Sequence, residues 1–306
     1  MAEDQAERLK RLMGASGVSQ AKSLPGSNQT RGVGADGTSK PRLSAETFQQ
    51  PQQSNVRTLY LTDGTGSMWE YISAVKRVIQ NVGRQTLDAK RNIEAMVALF
   101  DEHQEQGYTS PILTTSGIKR HSDFLQYNEW TTSPAALESQ VANLIQTTIG
   151  NGTGDEPYEC AAKWATDLMI DDRKQNPARV YGVVIFGDSI PHGAPGTSAL
   201  PCSHGVKADE LETLTQVANR VYWVDCSQAN SWSPWDQATF EKYTYGLTTP
   251  KETSVYLKFA DAEPILEAAL VGMAKKTESP FAFKDYLASL PPAQAAQVRG
   301  LLGNGK

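Results

Sequence analysis

Val180-Tyr181-Gly182-Val183-Val184-Ile185-Phe186 is the strongest strand signal in the chain. A strand with one wet face alternates apolar and polar residues. This run does not alternate, so it predicts a strand covered on both faces, as in a parallel sheet. Downstream, Leu211, Leu214 and Ala218 mark the inward side of a helix over 208–219, followed by a strand at Val221–Val224. A helix near 235–243, a short strand at 254–257 and a helix at 263–275 come next. Upstream, 156–171 reads as a helix. Ser133-Pro134 sets an N-cap and a first helical residue for another, running to about Gln146. Ser110–Thr115 and Ile93–Phe100 read as strands. Val56–Thr62 is a strand running into a Gly-rich turn. Ile72, Val75, Ile79 and Val82 then recur at the spacing of one helix face. Strands alternating with helices imply right-handed crossovers. The expected fold is therefore α/β: a doubly wound, Rossmann-like, mostly parallel sheet flanked by helices.

Composition bounds the rest. Only 39% of the 306 residues are hydrophobic, so part of the chain is expected to lie outside a core. Residues 14–54 are rich in Gly, Ser, Gln and Asn. They cannot bury enough apolar surface to offset their ordering entropy. The expected organisation is a flexible segment over 1–54, the α/β domain over 55–276, and a C-terminal helical tail over 277–306. The tail reads as two helices on either side of Pro291-Pro292, either packed on the domain or offered to a partner. A net charge of -5 with no basic cluster argues against nucleic acid. No apolar run approaches a membrane span and no secretory signal is visible, so the expectation is a cytoplasmic protein. The three cysteines, Cys160, Cys202 and Cys226, show no paired spacing, which reads against both a disulfide framework and zinc. His103, His121 and His204 have no companion ligands at metal spacing and read as loop residues.

In an open parallel sheet the binding crevice lies beyond the carboxyl ends of the strands. Three loops are placed there. The first is Asp63-Gly64-Thr65-Gly66-Ser67-Met68. It sets a carboxylate and two hydroxyls at alternate positions of a tight turn, with glycines for unusual backbone angles or close approach. Converging hard oxygen donors suit Mg²⁺ or a similar cation. Alternatively, Ser67 caps the following helix and Asp63 braces the turn. The second loop is Gly150-Asn151-Gly152-Thr153-Gly154-Asp155-Glu156-Pro157-Tyr158-Glu159, and the third is Ile185-Phe186-Gly187-Asp188-Ser189-Ile190-Pro191-His192-Gly193.

Taken in order, these three loops resemble the metal-ion-dependent adhesion site of von Willebrand factor A domains, and in particular the branch associated with alpha-kinases. The resemblance covers about Val56 to Lys275. It implies a divalent cation, Mg²⁺ or else Mn²⁺ or Ca²⁺, held by Asp63, Thr65, Ser67, Thr153 and Asp188, directly or through water. Thr153 stands in a loop that departs from the branch's pattern. Asp155 is the other loop-two candidate, as a ligand or as a helix N-cap. His192 is expected to brace its turn. A cation with few carboxylate ligands keeps positive charge, and an Asp or Glu of a protein partner completes its shell. The implied function is therefore a metal-dependent protein–protein interaction module rather than an enzyme, stand-alone or within a larger intracellular assembly, as related domains form with AAA-type ATPases. The enzyme alternative is a haloacid dehalogenase-like, Mg-dependent phosphohydrolase. It needs a nucleophilic carboxylate two residues before Asp63, where this chain has Leu61. No P-loop and no G-x-S-x-G elbow is present. A metal-free scaffold subunit is the third reading.

Overall fold

The computed structural model describes residues 56–87, 93–103, 119–121, 124–143, 155–227, 236–248 and 251–302. The expected flexible segment, the strand at 110–115 and Thr153 lie outside these residues. In chain order the elements are β1 (Val56–Asp63), α1 (Trp69–Thr86), β2 (Ile93–Phe100), β3 (Lys119–His121), β4 (Leu125–Tyr127), α2 (Pro134–Asn143) and β5 (Asp155–Glu156). There follow α3 (Tyr158–Gln175), β6 (Val180–Gly187), β7 (Ile190–Pro191), α4 (Glu210–Val217), β8 (Arg220–Asp225), α5 (Gln237–Tyr243), β9 (Ser254–Lys258), α6 (Phe259–Glu278), α7 (Pro280–Ser289) and α8 (Pro292–Leu302).

The main sheet runs β3-β4-β2-β1-β6-β8-β9. From β2 to β9 every pairing is parallel, while β4 joins β2, and β3 joins β4, antiparallel. This is the doubly wound α/β arrangement expected from the alternating pattern. β1 lies at the centre, with Tyr60 between Val97 and Val184. Side chains alternate across it. Val56, Tyr60, Val97, Val184 and Tyr222 form one cluster with Val75, Ile79 and Val82 of α1 and Leu266 and Leu270 of α6. The neighbours in sequence, Leu59, Leu61, Val183, Ile185 and Trp223, are buried as well, as two-sided coverage demands.

The β3–β4 hairpin was not anticipated, because its strands are short and Lys119-Arg120-His121 carries no apolar alternation. His121 accordingly lies on a strand rather than in a loop. α3 begins at Tyr158, two residues later than the pattern suggested, because Asp155 and Glu156 pair with Ile190 and Pro191 in a separate two-stranded ladder. The two C-terminal helices pack on α6. Phe283, Leu287, Val298 and Leu302 join its core cluster, and Tyr286 donates its hydroxyl to the Ala268 carbonyl at 3.0 Å. Gly272 permits that contact, since a Cβ there would come 2.8 Å from Leu302 Cδ1. Among the described residues no helix is long and apolar enough to cross a membrane.

Candidate metal centre at the carboxyl edge of the sheet

Parallel strands end together, so the segments after β1, β2 and β6 meet at one edge of the sheet. β1 delivers Asp63 there, fully buried. Its Oδ1 accepts from the Thr65 backbone N–H at 2.9 Å and from the Thr65 hydroxyl at 2.7 Å. The Thr65 and Ser67 hydroxyls lie 3.2 Å apart. Ser67 Oγ donates to Asp188 Oδ1 at 3.0 Å, joining two turns 121 residues apart. Asp63, Thr65, Ser67 and Asp188 therefore gather into one oxygen cluster. Ser67 does not cap α1. Thr65 is the residue before a short 3₁₀ turn at Gly66–Met68, and neither Thr65 nor Met68 makes a side-chain cap.

The glycines earn their positions by space rather than by angle. Gly64 lies outside the left-handed region; a Cβ there would meet Leu99 Cδ2 at 2.3 Å. At Gly187 a Cβ would fall 1.7 Å from the Tyr158 hydroxyl. That hydroxyl passes over the bare glycine to donate to Asp63 Oδ2 at 3.1 Å. The Tyr158 ring is held edge-on to Phe100, centroids 5.0 Å apart.

Asp155 is not an N-cap. It lies on β5, and its Oδ2 accepts from the Leu200 backbone N–H at 2.8 Å. Its neighbour Glu156 belongs to the acidic edge instead. So do Asp101 and Glu102, which immediately follow β2; all three are buried. The edge rule that singled out the other loops applies equally to β2 and would have found Asp101 and Glu102.

Charge is crowded here. Burial, then the Asp188 carboxylate, pushes Asp63 up to about 7, against the pull of the Thr65 N–H, the Thr65 hydroxyl and the Tyr158 hydroxyl. Burial pushes Asp101 up to about 8; the Glu102 N–H opposes this, and the Asp63 and Glu102 carboxylates add to it. Glu156 is held well above the carboxylate range by burial and then by Asp63, Glu102, Asp188 and Asp101. Glu102 Oε2, Asp155 Oδ1 and Glu156 Oε2 are buried without a hydrogen-bond partner. The opposite edge of the sheet is built differently. There Arg57 pairs with Glu94 at 2.5 Å and Asp172 at 2.7 Å, and Arg179 pairs with the same two carboxylates. Among the described residues no lysine or arginine pairs with Asp63, Asp101, Glu102, Glu156 or Glu159. Converged hydroxyls and buried, unmatched carboxylate oxygens are a donor set that suits a hard divalent cation.

His192 is the basic group of this edge. Its Nε2 lies 3.2 Å from Glu102 Oε1 and its Nδ1 2.9 Å from Glu159 Oε1. Burial works against its charge, but contacts with Cys202, Glu102 and Glu159 outweigh it and push the imidazole up to about 12. Beside it lies a cluster the sequence reading missed. Cys160 Sγ, Cys202 Sγ and His103 Nε2 are mutually 3.4 Å apart. With a Glu159 oxygen they fit within 4.8 Å of one another. His103 is therefore not an isolated loop histidine, and two of the three cysteines do share companions. Their spacing in sequence, 42 residues between the thiols and 57 or 99 to the histidine, carries no motif signal.

No family profile matches this sequence, and no curated protein matches it. Among solved structures, two crystal structures of the pilus adhesin SpaC from Lactobacillus rhamnosus GG, one in the open conformation, align over 72% of this chain with 11% identity and a TM-score of 0.48. The alignment takes in 30% of the adhesin, so this chain spans about a third of that protein's length. The manganese-loaded TRAP protein of Plasmodium vivax aligns over 68% of this chain and 70% of its own, with 14% identity and a TM-score of 0.41.

Proposed function

We propose that this chain is a von Willebrand factor A-like module that binds a divalent cation, Mg²⁺ or Mn²⁺, and through it an acidic residue of a partner protein. Asp63, Thr65, Ser67 and Asp188 would hold the cation, directly or through water, with loop two adding Thr153. The carrying observation is the convergence of Asp63, Thr65, Ser67 and Asp188 through the 3.0 Å Ser67–Asp188 bond. When bound, the cation would supply an open coordination position at the edge of the sheet, with the neutral Thr65 and Ser67 hydroxyls taking ligand places that a carboxylate would otherwise fill. The chain's own residues fix where that position lies. Tyr158 and Thr65 orient the Asp63 carboxylate, and Ser67, 3.2 Å from the Thr65 hydroxyl, ties that turn to Asp188. An Asp or Glu from another protein is attracted to such a site, and no bond need be made or broken, so catalysis is not part of the reading. Trp69, 65% exposed just beyond the site's Ser67-Met68, offers apolar contact to an arriving partner. The setting we favour is a larger intracellular assembly, of the kind that related domains form with AAA-type ATPases.

The test pairs stability with capture. Mg²⁺ or Mn²⁺ is expected to raise the melting temperature of the wild-type chain and not that of Asp63→Asn. Pull-down from the native source is expected to recover a partner with wild type in metal and to lose it with chelator or Asp63→Asn. Equal stabilisation of both proteins by metal sinks the reading.

A further inference from the structure

We propose that Cys160, Cys202, His103 and Glu159 form a second, structural metal site, selective for zinc and separate from the oxygen cluster at Asp63. Zinc holds thiolate sulfur at about 2.3 Å and imidazole nitrogen at about 2.0–2.1 Å in a tetrahedron, so its ligand edges are about 3.8 Å for S···S and about 3.5 Å for S···N. The two sulfurs and the nitrogen form a triangle with all three edges at 3.4 Å, close to one face of that tetrahedron. Glu159 supplies the fourth donor, within 4.8 Å of the other three, and every member is buried.

His103 Nε2 either carries a proton or accepts one; it cannot do both. If it accepts from Cys160, and Cys202 donates to the Cys160 sulfur, the Cys202–His103 edge has no proton. If it carries the proton instead, that single N–H must be shared between two sulfurs. A cation at the centre satisfies all three at once, with the two thiol protons released to solvent as the thiolates bind.

His192 Nδ1 lies 2.9 Å from Glu159 Oε1, and the His192 backbone N–H donates to Glu159 Oε2 at 3.2 Å. A ligand carboxylate is commonly oriented by such an outer partner. The His103 ring is stacked on His192, with centroids 5.3 Å apart, and lies against His204 and Phe124. Two soft thiolates with imidazole select zinc over magnesium.

The placement gives the site a purpose. His103 follows β2, Cys160 is in the first turn of α3, and Cys202 lies in the loop after β7. These three segments carry Asp101 and Glu102, Glu156 and Tyr158, and the stretch from Asp188 to His192. Four protein ligands close the coordination shell, so the ion would staple the loops that frame the acidic edge instead of taking a partner's ligand.

The experiment uses the full chain, purified under reducing conditions. Metal content by mass spectrometry is expected to show one tightly held zinc per chain. Exchange for Co²⁺ is expected to give visible absorption of tetrahedral cobalt together with a thiolate-to-cobalt charge-transfer band. Cys160→Ser and Cys202→Ser are each expected to weaken the charge-transfer band and the double variant to abolish it, whereas Asp63→Asn keeps it, which separates this site from the proposed adhesion site. The Co²⁺ spectrum of the wild-type chain stands as the readout if the cysteine variants fail to fold. The proposal is overturned if the reduced, folded wild-type chain takes up neither zinc nor cobalt. It is likewise overturned if the thiols are found as a Cys160–Cys202 disulfide whose reduction restores no uptake, or if the cobalt signal survives loss of both cysteines.

Discussion

Asp63→Asn is the substitution in which the acidic edge should behave least like an ordinary loss of contacts. The amide keeps an oxygen where Oδ1 accepts from Thr65, so the turn geometry survives. What disappears is a buried charge beside Asp188. Without added divalent metal at pH 8, wild-type Asp63 is ionised although burial and Asp188 push it up to about 7. At about 1.4 kcal/mol per pH unit between 3.8 and about 7, the relief from removing that charge has a ceiling of about 4 kcal/mol. Asp63→Asn should therefore be more stable than wild type in metal-free buffer. Metal reverses the order. A cation at a hundred times its Kd adds about 2.7 kcal/mol to the form that binds it. At about 2–4 °C per kcal/mol for a domain of this size, the wild-type melting temperature should rise by about 5–11 °C while the variant stays put. Calorimetry at pH 8, with and without Mg²⁺ or Mn²⁺, reads both quantities. If the variant is the less stable protein without metal and gains as much from metal as wild type does, the account of this edge is wrong.

The same crowding sets a pH dependence. Asp63 and Asp101 bind protons more tightly folded than unfolded, so the stability they provide is complete below the ordinary carboxylate range. It is lost as pH rises through about 7 and about 8, at about 1.4 kcal/mol per pH unit for each group. Urea denaturation of the metal-free chain between pH 5 and 8 should show this fall and divalent metal should flatten it; a metal-free profile that rises with pH refutes it. Gly187→Ala places a Cβ 1.7 Å from the Tyr158 hydroxyl, and relieving that clash should cost about 1–3 kcal/mol and weaken the metal response, measured by urea midpoint and metal titration. Leu302→Ala removes a side chain packed over Gly272 in the α6 core, so a loss of about 2–5 kcal/mol in the urea midpoint with an unchanged metal increment is expected; a neutral result would mean the C-terminal helix is not docked in solution.

Much of the fold was legible because burial on both faces writes itself into composition. The run from Val180 to Phe186 could hardly be anything but a central strand, and Ile72, Val75, Ile79 and Val82 all face inward on α1. The hairpin of β3 and β4 left no such trace, since an edge strand of three polar residues draws its order from its neighbour. At the site, Asp63, Thr65 and Ser67 were visible because one short turn holds all three, and Asp188 because it ends the strongest strand. Asp155 was misjudged because a residue suited to capping was claimed first by pairing with Ile190. His103, Cys160 and Cys202 were unreadable for a different reason: only the tertiary fold makes them neighbours.

Ser67 and Asp188 belong to segments that meet only after β1 and β6 have paired along their length. The chain between them must close a long loop before either oxygen has its companion. A half-formed sheet, or a copy in which β6 has slipped its register, presents no convergent donors. Under the proposed reading, a partner that needs the assembled site would thereby be tuned to finished molecules, and the topology itself would act as a proofreader against misassembled copies.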